Sequence, residues 1–245
     1  MPYLSLVIPA YNEATRLPET LALVRDWVER QSFTVEILVV NDGSTDNTEK
    51  VVQEFSHRFP AVHLIHNDMN KGKGSVVQQG MLAATGDWRL FMDADAATPI
   101  EQVNKLLKFT KDYQVIIGSR YLEPGSIKIK QPLKRRILSR AMNLLIQTVF
   151  LRGVKDTQCG FKLFSAHATE DIFPRQQIKG WLFDVEILTI ARTLGHVIKE
   201  VPVEWFDGKN SKLRALHATM RTAKELLAIN RMVRKGVYTS VSKNV

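Results

Sequence analysis

Apolar residues along this chain come in short runs with polar, glycine-rich punctuation between them. Leu4-Ser5-Leu6-Val7-Ile8, Val35 to Val40, Val62 to His66 and Arg89-Leu90-Phe91-Met92 are each too short for a helix. Their apolar continuity predicts strands buried on both faces. Between them the period changes to that of a helix. Leu17, Leu21, Val24, Trp27 and Val28 mark one over Thr15 to Gln31. Asp46 to Phe59, opening at Asp46 or Thr45, and Ser75 to Ala84 mark two more. A β-α-β-α-β-α-β order with short connections predicts an α/β fold with a parallel, doubly wound sheet.

After Asp95 the rhythm changes. Ile100 to Tyr113 reads as a helix and Val115 to Gly118 as a strand. Lys128 to Leu151 is a basic run leading into an amphipathic helix. Leu163-Phe164 and Val201 to Trp205 read as antiparallel edge strands flanking a helix at Asp184 to Leu194. Arg214 to Arg234 closes the pattern as a long basic amphipathic helix. With no repeats or linker-like stretches, the expectation is one domain over 1–245. Residues 1–120 would form a nucleotide-binding half and 121–245 an acceptor-facing half.

Composition narrows the class. A chain of 245 residues can bury a core without staples. Its single cysteine excludes an internal disulfide and points to a reducing compartment. The first strand begins at once, so no signal peptide or spanning segment is expected. The formal net charge of +9 calls for an anionic partner. The excess lies in Lys128 to Arg140 and Lys209 to Lys235, while Met1 to Tyr113 is nearly balanced. Nucleic acid is a poor fit, because the basic stretches lack interleaved aromatics and belong to no recognised module.

The chemistry sits at the strand ends. Asp93 and Asp95 follow an apolar strand, at the carboxyl edge where open α/β sheets bind ligands. Two carboxylates this close repel unless something positive lies beside them. Taken alone, the pair reads as a solvated acidic turn or as the seat of Mg²⁺ or Mn²⁺. Pro9-Ala10-Tyr11-Asn12-Glu13 adds an aromatic face and a carboxylate suited to a base and ribose. Asp42, in Asp42-Gly43-Ser44-Thr45-Asp46, is placed to accept from a base or hydroxyl, or to close a plain Asx turn. Lys71-Gly72-Lys73-Gly74 leads into a helix N-terminus, which favours phosphate. Neither the Walker pattern nor the dinucleotide glycine spacing is present, so kinase and dehydrogenase readings fail. Four such ends at consecutive strands favour the metal and a nucleotide diphosphate.

These motifs resemble those of family 2 inverting glycosyltransferases of the GT-A fold. Asp156-Thr157-Gln158-Cys159-Gly160-Phe161-Lys162-Leu163-Phe164 narrows the resemblance to the polyprenyl-phosphate sugar transferases. Trp181-Leu182-Phe183-Asp184-Val185-Glu186, Val201-Pro202-Val203 with Trp205, and Ser211-Lys212-Leu213 place it nearest the dolichyl-phosphate β-glucosyltransferase branch. That branch carries an N-terminal membrane span, which is not expected here. The mannosyl branch places a glutamine where this chain has Ala97, which favours UDP-glucose over GDP-mannose.

The resemblance implies attack by a lipid phosphate on the anomeric carbon, with UDP leaving and configuration inverting. It implies nucleotide-sugar contacts from Pro9, Tyr11, Glu13, Asp42, Lys71, Lys73, Asp93, Ala94, Asp95 and Gln158. Lys73 and Arg120 would offset charge on the leaving diphosphate, with Asp93 and Asp95 as metal ligands. Arg135, Arg136, Ser139 and Lys212 are expected near the acceptor phosphate. Asp184 is expected nearest the reacting centre and Glu186 next, although helical spacing makes it hard for both to face one site. Cys159 lacks a His-plus-acid setting, and the scattered histidines lack zinc spacing. The basic amphipathic stretches imply peripheral binding to the cytoplasmic face of a membrane, or oligomerisation through that face, with or without a separate anchor protein.

Overall fold

The computed structural model describes residues 1–128, 146–206 and 215–239. A seven-stranded sheet runs through it in the order β3-β2-β1-β4-β6-β5-β7. The strands are β1 (Leu4–Ala10), β2 (Val35–Asp42), β3 (Val62–Asn67), β4 (Trp88–Met92), β5 (Val115–Ser119), β6 (Phe161–Ser165) and β7 (Ile198–Pro202). The helices are α1 (Leu17–Val28), α2 (Thr48–Arg58), α3 (Lys73–Ala83), α4 (Val103–Leu107), α5 (Ala166–Ile172), α6 (Phe183–Thr193) and α7 (Ala215–Arg234). β1 pairs in parallel with both β2 and β4, so the strand order reverses beside β1.

The period of two along each strand sorts side chains onto two cores. Leu4, Leu6 and Ile8 of β1 and Leu90 and Met92 of β4 pack with Leu17, Leu21, Val24 and Trp27 of α1. Val7 and Phe91 point the other way, onto Val76, Val77 and Met81 of α3 and Phe183 and Ile187 of α6. The result is a three-layer α/β/α sandwich, as the buried runs predict.

Three expectations need correction. Leu163-Phe164 belongs to an antiparallel strand, but β6 lies inside the sheet between β4 and β5. Phe161 to Phe164 is buried on both faces, and the strand has a ladder partner on each side. The strand at the edge is β7, which pairs in parallel with β5 and begins at Ile198. Trp205 lies past its end, in an isolated bridge to Ile127. The helix expected over Ile100 to Tyr113 is a 3₁₀ turn at Ile100–Gln102 followed by α4 alone. Thr110 Oγ1 donates to the Leu107 carbonyl, taking an acceptor that a further turn would need.

At the sheet's carboxyl edge the ladder opens. The β1–β4 pairing ends at Val7 and Phe91, whereas β1 and β2 stay paired through Pro9 to Ala10 and Asn41. Pro9, lacking an N–H, sits on the stretch of β1 that β4 has left. The crevice of a doubly wound sheet opens at this point.

Candidate active site

The turns after β1 and β4 flank the crevice. They contain the only positive φ angles of non-glycine residues among the described residues, Asn12 at 54° and Ala96 at 48°. Each costs an L-residue roughly 1–2 kcal/mol, and such strain gathers where a turn must aim its neighbours. Ala96 follows Asp95 directly. Asp95 Oδ1 accepts from the Ala97 N–H at 3.1 Å, and Thr20 Oγ1 donates to the Ala94 carbonyl at 2.7 Å.

Asp93 meets a cation from α3, and Asp95 meets one from the residue just before α1. Lys73 Nζ on α3 lies 2.5 Å from Asp93 Oδ1, and Arg16 lies 3.8 Å from Asp95 Oδ2. Burial raises the Asp95 carboxyl above its ordinary range, and repulsion by Asp93 adds to it. Burial opposes the charge of Lys73, but Asp93 and Asp184 outweigh it, and Lys73 lies above the usual lysine range. Gly160 presses backbone against Asp93, since a Cβ there would fall 2.1 Å from Oδ2. The pair is all oxygen, fixed by backbone and still partly open at about a third exposure. That donor set suits a hard divalent cation that keeps sites for phosphate oxygens.

The neighbouring loops are stitched to one another. The Asn12 N–H donates to Ser44 Oγ at 2.9 Å, and the Thr45 N–H donates to Asn12 Oδ1 at 2.8 Å. The Glu13 N–H donates to Thr48 Oγ1 at 2.8 Å. The Glu13 carboxylate, expected at a ribose, is held in a fork by Arg16 at 2.5 and 2.7 Å. Asp42 accepts from the N–H groups of Lys71 and Gly72 at 2.7 and 3.1 Å, so it shapes the loop before α3. Lys71 Nζ turns to Asn67 Oδ1. The α3 N-terminus is less free than expected, because the Gly74 N–H donates to the Lys179 carbonyl. Tyr11 keeps an exposed ring at the crevice mouth.

Across the crevice stands Asp184, in the first turn of α6 and only 5% exposed. Its partner is Lys162, a fully buried lysine of β6, whose Nζ also donates to the Cys159 carbonyl at 2.7 Å. That ammonium lies 5.1 Å over the Phe91 ring. Burial raises the Asp184 carboxyl, while Lys162 and then Lys73 counter it. Lys73 thus lies within the electrostatic reach of both Asp93 and Asp184, with the exposed Trp181 ring 5.1 Å from its Nζ.

Glu186 stands elsewhere, contrary to expectation. It accepts from the Gln177 and Ile178 N–H groups and from the Tyr238 hydroxyl at 2.8 Å, tying the turn after α7 to the loop before α6. Two residues on a helix are separated by about 200°, so Asp184 and Glu186 point apart. Arg120 is likewise committed. Asp156 accepts its backbone N–H and, bidentately, its guanidinium, at 2.7 to 2.9 Å. The rings of Tyr121 and Trp205 lie 5.5 and 5.4 Å from that guanidinium. Burial would raise Asp156, but Arg120 outweighs it and holds the carboxyl below the usual range. Glu200 of β7 anchors the same loop by accepting the Lys155 and Asp156 N–H groups. The Gln158 N–H donates to Asp156 at 3.3 Å, which places Gln158 on this loop. Cys159 is buried and its thiol is pushed up to about 12, which removes it as a nucleophile. Arg135, Arg136, Ser139 and Lys212 lie outside the described residues.

Sequence reasoning missed Arg16, Thr20, Lys162 and Glu200. Lys162 alone carried a signal, a lysine inside a strand otherwise apolar on both faces.

A doubly wound sheet of this order, with two aspartates and a lysine at its switch point, defines an α/β protein that takes its ligand at the carboxyl ends of β1 and β4. Residues 5–173 match the model of glycosyl transferase family 2, and the chain belongs to that family. A dolichyl-phosphate beta-glucosyltransferase of Trichomonas vaginalis is 40% identical over 248 residues, covering 96% of this chain and 75% of its own. Its human namesake is 35% identical over 241 residues, covering 92% and 74%. Glucosyl-3-phosphoglycerate synthase from Mycobacterium tuberculosis, in complex with Mn²⁺ and UDP-glucose, superposes with a TM-score of 0.68. It covers 93% of this chain and 79% of its own at 19% identity. The mannosyltransferase PcManGT from Pyrobaculum calidifontis, with GDP-Man and Mn²⁺, gives 0.62 at 19% identity, covering 95% and 64%. The family expected from the motifs is the family found.

Proposed function

We propose that this protein transfers glucose from UDP-glucose to a dolichyl-type polyprenyl phosphate with inversion at the anomeric carbon. The observation that carries the proposal is identity of 35 to 40% to dolichyl-phosphate beta-glucosyltransferases over nearly the whole chain. The acidic pair beside Lys73 at the switch point supports it.

An acceptor phosphate oxygen attacks the anomeric carbon, the bond from that carbon to the diphosphate breaks, and UDP leaves with the electron pair. A phosphate monoester has a second pKa of about 6 and is dianionic at neutral pH. No proton need be removed, so positioning dominates. Asp95 and Asp93 would hold Mg²⁺ or Mn²⁺, which offsets diphosphate charge when bound. Lys73 supplies a fixed positive charge on the same side. Asp184, oriented by Lys162, offers its carboxylate across the crevice, where positive charge develops on the sugar.

The acceptor lies in a bilayer, so the enzyme must reach the headgroups. Among the described residues no helix is long and apolar enough to cross a membrane. The outer face of α7 and the turn after it expose Leu227, Val233 and Val237 among Lys224, Arg231, Arg234 and Lys235. This mixture fits peripheral contact with an anionic, cytoplasmic leaflet.

The test is incubation with UDP-glucose, a polyprenyl phosphate and Mn²⁺, with the product's anomeric configuration read by NMR. A β-linked lipid phosphate is expected, and an α-linked product or free glucose alone would overturn the assignment. Flotation with anionic vesicles tests the membrane contact, which fails if the protein stays unbound at low salt.

A further inference from the structure

On the opposite edge of the sheet the fold assembles a second constellation. His167, Asp171 and His196 form the one group of three such side chains, among the described residues, whose donor atoms all lie within 4.8 Å of one another. β6 runs antiparallel, so its end at Ser165 lies beside Trp88 at the start of β4, away from Asp93. The group therefore has no part in the donor site.

Three local features build it. Ser165 caps α5 by accepting the Ala168 N–H, which starts the helix just ahead of His167. His167 and Asp171 then stand four residues apart, on one face of α5. Gly195, at φ 88°, reverses the chain after α6, and the His196 N–H donates back to the Ala191 carbonyl. That turn delivers His196, with its side chain 9% exposed, to the same carboxylate. Asp171 Oδ2 lies 3.2 Å from His196 Nε2 and 3.6 Å from His167 Nδ1. The two rings are 6.1 Å apart and inclined at 67°.

The two separations to Asp171 Oδ2 are close to what a tetrahedral ion requires. With ligand bonds of about 2.0–2.1 Å, neighbouring donor atoms lie roughly 3.3 Å apart. The competing carboxylate of Glu170 is turned to Arg89 instead. His167 is exposed, and His196 lines an open cleft of about 350 Å³ with Arg152, Arg192 and Glu200, so ions have access from solvent.

We propose that His167, Asp171 and His196 bind a zinc-class transition-metal ion that clips α5 to the turn between α6 and β7. Two imidazoles and one carboxylate select Zn²⁺, Co²⁺ or Ni²⁺ over Mg²⁺ or Mn²⁺. The ion differs in chemistry as well as in place from one held by Asp93 and Asp95. Three protein ligands leave a fourth position for water.

The test is titration of the full chain with Co²⁺ under saturating Mg²⁺, which occupies the all-oxygen site, followed by displacement with Zn²⁺. One equivalent of Co²⁺ should bind with the visible absorption of a four-coordinate ion and be displaced by Zn²⁺. His167→Ala and His196→Ala should each weaken binding at least tenfold, and Asp95→Ala should leave it unchanged. His167→Ala, at an exposed position, should fold and transfer glucose normally. Affinity and spectrum unchanged in both histidine variants would overturn the proposal as an adventitious ion only. So would the absence of any Co²⁺ uptake against Mg²⁺.

Discussion

Replacing Lys162 by Met keeps the length of the side chain and removes its charge from a site with no exposure to water. What remains is the Asp184 carboxylate, 5% exposed, with its contact partner gone and Lys73 as the nearest countercharge. Breaking a buried ion pair from one side costs about 3–5 kcal/mol while the orphan stays charged. Asp184 escapes that cost by taking a proton, and its carboxyl is already raised by burial. Losing Lys162 raises it further. A carboxyl raised in the folded state binds more protons there than in the unfolded chain. Stability therefore falls as pH rises from the unfolded to the folded pKa. Lys162→Met should be milder at acidic pH, where Asp184 takes up a proton, than at alkaline pH, where it stays charged. At 2–4 °C per kcal/mol for a chain of this size, the loss at the higher pH is roughly 6–20 °C in Tm. Calorimetry across that range measures it, and Asp184→Asn in the same background should recover most of the loss. An equal loss at both pH values, or none recovered in the double variant, refutes the pairing.

Three other substitutions separate scaffold from chemistry. Ala96→Gly relieves a positive φ, and with the greater backbone entropy of glycine set against that strain the net gain is about 1 kcal/mol, which should raise Tm by about 2–4 °C, while lowering the transfer rate because Asp95 is less firmly aimed; an unchanged Tm contradicts the strain. Tyr238→Phe removes a hydrogen bond to the Glu186 carboxylate and should cost about 1.5–3 kcal/mol in urea unfolding, with kcat unchanged; a matching fall in kcat would return Glu186 to the chemistry. Arg120→Lys keeps the charge but loses the fork on Asp156, and should lower stability by about 1–3 kcal/mol; an unchanged urea midpoint contradicts that bracket.

The first four strands and the turns that end them were legible because their signals are local. Runs such as Leu90-Phe91-Met92 are buried on both faces, and the residues after them need only a strand end to be exposed. The βαβ rhythm predicts a parallel, doubly wound sheet but not its strand order, so the meeting of the β1 and β4 turns is seen only in the structure. The second half depends on contacts between distant residues, which no window of sequence carries. Phe161 to Phe164 looks the same inside a sheet as at its edge, until β5 is seen to lie beyond it. Glu186 shares an acidic helix start with Asp184, but helical geometry turns it toward Tyr238. Arg120 and Asp156 are separated by 36 residues and neutralise each other. The expected reach of Glu13 to a ribose gave way to Arg16, one turn along. His167, Asp171 and His196 show no zinc spacing in sequence, because a glycine turn after a separate helix brings the third to the other two.

Donor choice, with its dependence on the acidic pair, tests the central claim most directly. Radiolabelled UDP-glucose and GDP-mannose are offered in parallel with a polyprenyl phosphate and Mn²⁺, to the wild type and to Asp95→Ala. Labelled lipid from UDP-glucose alone, lost almost entirely in Asp95→Ala, is the predicted result. Labelled lipid from GDP-mannose alone, from neither donor, or at full rate in Asp95→Ala contradicts it.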